Sequence, residues 1–78
     1  MKARWRIEAD EWTQEGKKIT SDVNIEIIYK TLKEEGAIIV EHRFYRGSSS
    51  PDRLIFEDFD DLTTYLNTKV RAGDSIWV

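Results

Sequence analysis

The chain contains no cysteine. No disulfide can brace it, and no thiolate can serve as metal ligand or nucleophile. It has a single histidine, His42, so a metal site could draw only on oxygen ligands beside it. One proline and four glycines in 78 residues are too few for a linker or a low-complexity tract. The longest unbroken apolar run, residues 37–40, is four residues long. Roughly 18 to 20 are needed to span a bilayer, so no membrane partner is expected. No apolar stretch follows the basic residues at the N-terminus, so no signal peptide is expected and a cytoplasmic setting is the default.

What remains is enough for one small core. Hydrophobic residues make up 40% of the chain, and three Trp, three Tyr and three Phe supply large side chains to bury. The expectation is a single domain spanning residues 1–78, of modest stability, because a chain this short buries only about 60% of its unfolded surface. Charged residues make up 35%, with a net charge of -3. By segment, residues 1–18 and 37–54 are each net +1, residues 19–36 are net -2, and residues 55–78 are net -3.

Period-two alternation marks the first element. Ala3, Trp5, Ile7 and Ala9 fall on one side of residues 2–9, and Lys2, Arg4, Arg6 and Glu8 on the other, as in a half-buried strand. Residues 10–20 are polar around Trp12 and Ile19 and read as a loop, with room for a short extension of the strand. Residues 22–35 carry Ile25, Ile28, Tyr29 and Leu32 at helical spacing, with Ser21 or Asp22 as cap and Gly36 as terminator. Val23, Ile25, Ile27, Tyr29 and Thr31 also alternate, so a strand over residues 22–35 is the alternative. Residues 37–46 read as a strand, with Val40, His42 and Phe44 on one face and Glu41, Arg43 and Tyr45 on the other. A serine-rich loop leads to a strand over residues 53–57, with Leu54 and Phe56 on one side and Arg53, Ile55 and Glu57 on the other. Asp58 then caps a helix carrying Phe59, Leu62, Thr63, Leu66 and Val70, closed by Gly73. Residues 75–78 form a last strand that stops at the chain end, which suggests that the chain is clipped there.

The element order is β-α-β-β-α-β. It predicts an α+β two-layer sandwich of the ferredoxin-like, split βαβ kind, with an antiparallel sheet and both helices on one face. The alternative is an antiparallel meander with a single C-terminal helix, should residues 22–35 be a strand.

No motif for catalysis stands out. The run Glu57, Asp58, Asp60, Asp61 lacks the spacing of a calcium loop and reads as a favourable helix start. Ser48, Ser49 and Ser50 could be activated only by an oriented base, and His42 reads better as a structural histidine. Neither an enzyme nor a cofactor is expected. The open sheet face carries the one pattern of interest: Lys2, Arg4, Arg6, Arg43, Tyr45, Arg53, Ile55 and Trp77 point away from the helices, mixing cations with aromatics. Arg4, Arg6, Arg43, Tyr45 and Trp77 are the candidate contact residues for a protein partner or a second copy of the chain. The same face could stack and neutralise single-stranded nucleic acid, although the aromatic strand motif of RNA-recognition sheets is absent. A further alternative is an acidic inhibitor or immunity-type protein working through the helix start at residues 57–61. Against all three stands the plain reading, in which Arg side chains pair with Glu8, Glu41 or Glu57 across strands.

Overall fold

The computed structural model describes residues 3–9, 18–19, 24–45 and 50–78. Lys2, Trp12, the suggested caps Ser21 and Asp22, and Gly47, Ser48 and Ser49 of the serine loop lie outside the described residues. The elements are β1 (Ala3–Glu8), β2 (Lys18–Ile19), α1 (Ile25–Glu35), β3 (Ile38–Arg43), β4 (Asp52–Phe56), α2 (Phe59–Lys69) and β5 (Ser75–Trp77). The chain is a small α+β domain with two helices against a mixed sheet.

Residues 25–35 are helical, which rules out the meander alternative. Local signals outweigh their β-branched content. The Asn24 side chain accepts from the Glu26 and Ile27 amides at 3.0 and 3.4 Å, filling the cap expected of Ser21 or Asp22. Gly36 takes φ 80°, and its N–H donates to the Leu32 carbonyl, which a residue with a Cβ would do under strain. The buried stripe is rotated from the one expected. Ile28 is fully buried and Ile27 and Leu32 pack beside it, whereas Ile25 and Tyr29 are 61% and 62% exposed. Four apolar residues lie within the first turn and a half, too many for one face, and Ile27 and Ile28 take the inward positions. In α2, Asp58 caps through its carboxylate to the Asp61 amide at 3.0 Å, and Leu62 and Leu66 face inward. That helix ends at Val70 in an extended conformation. Gly73, expected to close it, instead serves the turn into β5 at φ 94°.

The strand order is β2-β5-β1-β3-β4. β1 and β3 are adjacent and parallel, with Trp5 beside Val40 and Ile7 beside His42. β4 pairs antiparallel with β3, and β5 antiparallel with β1. The expected antiparallel sheet is therefore mixed, and the split order is not the one observed. In a split unit another strand would separate β1 from β3. Here α1 returns the chain directly beside β1, and the β3–β4 hairpin grows outward instead. Both orders satisfy the same pattern of inward and outward residues, so element order alone does not separate them. β2, in the region read as a loop, adds a two-residue edge against β5.

Trp5, Ile7, Ile38, Val40 and Ile76 from one sheet face meet Ile28, Leu62 and Leu66 from the helices in a single core. Both helices therefore cover the same face, as expected. Each such side chain contributes about 1.5–3 kcal/mol through burial. Leu62→Ala should cost about 2–5 kcal/mol in urea denaturation, while Ile25→Ala should stay within about 0.5 kcal/mol. A large loss at Ile25 would mean that α1 presents its other face to the core.

Candidate functional site

The strand registers set the order of side chains across the sheet face opposite the helices. Trp77, Arg6, Glu41 and Arg53 form one row across β5, β1, β3 and β4. Arg4, Ile39 and Ile55 form the next toward one end, and Ser75, Glu8 and Arg43 toward the other. Charges of opposite sign are neighbours throughout. The Arg4 guanidinium lies 3.3 Å from the Glu41 carboxylate, and the Arg43 guanidinium donates to Glu8 at 3.1 Å. These are the cross-strand pairs that the plain reading of the face anticipates.

The five candidate contact residues have different surroundings. Arg4 is largely exposed, with 60% of its side chain in solvent, but is paired. Arg43 is half-buried and neutralises Glu8, whose side chain keeps only 7% exposure. Arg6 is half-buried between Glu41 and Trp77 and is not a free cation. Trp77 is half-buried, and its indole nitrogen has no hydrogen-bond partner among the described residues. Tyr45 lies beyond the end of β3 and is 72% exposed, with the Arg71 guanidinium 5.8 Å above its ring. The sheet sets Arg6 and Trp77 in its middle row and Arg43 at its Glu8 end, and leaves Tyr45 off the face. The uncovered apolar surface lies instead on β3 and β4. Ile55 is 56% exposed, and Ile39, its register partner, is half-buried. Ile39 was absent from the expected outward set, although its parity with Glu41 places it on that face.

A second polar cluster sits at the end of β3, on the helix side. His42 has no exposed surface. Its ring stacks on Phe44 at 3.9 Å and meets Tyr65 edge-on. Nδ1 lies 2.7 Å from the Tyr65 hydroxyl, and Nε2 lies 3.9 Å from the buried Asp74 carboxylate. The carboxylate favours the proton on Nε2, which leaves Nδ1 to accept from Tyr65. Burial and the Asp52 charge push the Tyr65 hydroxyl above its ordinary pKa, so it keeps the proton that it donates. Burial, the largest influence, pushes His42 below the ordinary histidine value. Asp74 opposes this, Arg71 adds to it and Asp52 opposes it. Asp74 also accepts from the Arg71 amide at 2.9 Å, and the Arg71 guanidinium donates to the Phe44 carbonyl. Beside this cluster, Ala9, Tyr45, Arg71, Gly73 and Asp74 line an open depression of about 330 Å³. The sequence gives no signal for the cluster, because only the strand order carries the α2–β5 turn to His42.

A general base has to reach its substrate, and His42 is sealed on every side. No group of three or more acidic or histidine side chains that could hold a metal ion occurs among the described residues. Among the same residues no helix is long and apolar enough to cross a membrane. No protein-family profile, curated protein or solved structure matches the chain.

Two outcomes follow from this geometry. The folded protein holds His42 neutral, whereas the unfolded chain protonates it near pH 6.5. The stability owed to this difference is present above about pH 6.5 and is lost as the pH falls toward the lower folded-state value. Between about pH 7.5 and about pH 5.5, wild type should therefore lose more stability than His42→Gln. Equal losses would exonerate His42. Removing Arg43 leaves the Glu8 carboxylate buried without its partner, so Arg43→Met should cost about 3–5 kcal/mol. Arg4→Met, at an exposed pair, should cost no more than about 1 kcal/mol in the same denaturation assay.

Proposed function

We propose that this domain is a non-catalytic protein-interaction module whose working surface is the β3–β4 half of the uncovered sheet face. The observation that carries the reading is Ile55, a large apolar side chain 56% exposed on the outer strand of that half. Ile39 lies beside it, and Arg4 and Arg53 lie exposed around it. An apolar centre with a charged rim is the make-up of a protein contact. The fitting partner inserts an apolar side chain against Ile39 and Ile55, sets a carboxylate near Arg53 and lies close enough to Arg4 for an acidic residue there to repel it.

Nucleic acid suits this face less well. Phosphate binding needs uncompensated cations, and the Arg4 and Arg43 charges are already matched by Glu41 and Glu8. Tyr45 does not lie among the strands where it could stack a base next to them. The acidic helix start also fits less well as a contact. Asp58 is committed to the cap, and Asp60 and Asp61 are favourably placed for the helix dipole.

Affinity capture with the purified domain, followed by direct titration of the captured protein, tests the reading. Ile55→Glu and Arg4→Glu should each weaken binding by about tenfold or more while the fold persists. Undiminished binding by both variants would place the interface elsewhere. A mixed-sequence oligonucleotide at low salt should leave the Arg4 and Arg43 amide resonances in place. Shifts there that vanish as salt rises would assign the face to nucleic acid instead.

A further inference from the structure

Among the described residues β4 is an outer strand of the sheet, paired with β3 on one side only. Five residues long, it offers more to pair with than two-residue β2 at the opposite edge. An edge of unpaired backbone groups is a template for another strand, and proteins discourage such pairing by placing charges along it. β4 carries an outward cation at its second position, Arg53, and the next residue after the strand is the anion Glu57. Both are exposed, and neither makes an ion pair among the described residues. The sequence Arg53-Leu54-Ile55-Phe56-Glu57 is thus complementary to its own reverse.

We propose that β4 pairs antiparallel with β4 of a second copy about a two-fold axis at Ile55, joining two sheets into one. In this register Ile55 faces Ile55 of the second copy, and Leu54 faces Phe56 in both directions. Arg53 faces Glu57 twice. All these pairs respect the faces of the sheet. Arg53, Ile55 and Glu57 lie on the uncovered side, and Leu54 and Phe56 lie on the helix side, where both are half-buried in the monomer. The neighbouring registers lack this match. An axis at Leu54 sets Asp52 against Phe56 on the helix side and Arg53 against Ile55. An axis at Phe56 sets Asp58 against Leu54 and leaves Arg53 without an opposite. At the ends of the favoured register Asp52 falls opposite Asp58, but there the chain has already left the strand to cap α2. Such a contact is isologous, so every interaction occurs twice. It runs through the strand edge and leaves the flat of each sheet open, with Arg53 and Ile55 bordering both this contact and the surface proposed above.

Because each Arg53–Glu57 contact occurs twice, charge reversal reads the register directly. Sedimentation equilibrium should show a reversible dimer for the wild-type domain. Arg53→Glu and Glu57→Arg should each weaken it by about tenfold or more, since like charges then meet at both contacts. An equimolar mixture of the two variants should dimerise again, because it restores two opposite-charge contacts, and so should the double variant. Both residues are exposed, so each variant should fold, which circular dichroism checks. Amide exchange on β4 of the wild type should also slow with rising concentration, which needs no variant at all. A wild type that stays monomeric up to its solubility limit overturns the inference. So does a dimer indifferent to both reversals, or one that the mixture fails to restore. A monomer whose partner binding still depends on Arg4 and Ile55 would overturn this inference alone. A dimer with the predicted charge behaviour and unaffected partner binding would overturn only the reading of the sheet face.

Discussion

Six consecutive residue pairs tie β1 to β3 in parallel, from Ala3 beside Ile38 to Glu8 beside Arg43. Parallel neighbours cannot be joined by a tight turn, so the chain must cross over the sheet between them, and α1 makes that crossing. Once α1 covers one face, its apolar side chains and those of Trp5, Ile7, Ile38 and Val40 need a common cover. α2 completes it with Leu62 and Leu66. β4 and β5 are then added to either side of the central pair by antiparallel pairing. Among the described residues the helices lie on one face of the sheet only, and the other face is open at Ile55 of β4.

The same pairing decides which charges meet. Parallel register brings Glu8 level with Arg43 and Arg6 level with Glu41, so cations that look unmatched along each strand find anions on the next. The Glu8–Arg43 pair goes further, because the carboxylate is buried. A buried ion pair seldom adds much stability over an apolar pair, but it penalises any shift that parts it. A one-residue slip between β1 and β3 would turn Glu8 away from Arg43 and Ile7 out of the core together. His42 is placed by the same constraint. It sits level with Ile7 on the helix side, where Tyr65, the α2–β5 turn and Asp52 on β4 supply polar neighbours.

Much of this was legible in the residues, for local reasons. The alternation in β1, β3 and β4, the capping carboxylate of Asp58 and the glycine after α1 depend on neighbours a few positions away. The inward and outward sides of the sheet strands follow from parity and agree with the structure from Trp5 to Ile76. The phase of α1 was not legible, because Ile25, Ile27, Ile28 and Tyr29 offer several stripes and only the position of β3 and α2 selects among them. Parallel pairing was not legible either, since it depends on where the crossover lands. The candidate contact residues suffered for that reason. Their side of the sheet was correct for Arg4, Arg6, Arg43 and Trp77, but their freedom to bind depends on Glu8 and Glu41, whose alignment is a property of register.

Charge on this protein is therefore better described by face than by sum. The outward rows of the sheet carry Arg4, Arg6, Arg43 and Arg53 against Glu8 and Glu41, while α2 begins with Asp58, Asp60 and Asp61. A net charge of -3 would hold two copies apart if it were spread evenly. It is not, and salt screens distant charges while adjacent ones still act. At the β4 edge the nearest charges are Arg53 and Glu57, one of each sign, beside a strand that is apolar at its next three positions. Local matching of that kind governs edge-to-edge contact more strongly than the overall balance, because only the charges within about 10 Å act strongly across the gap.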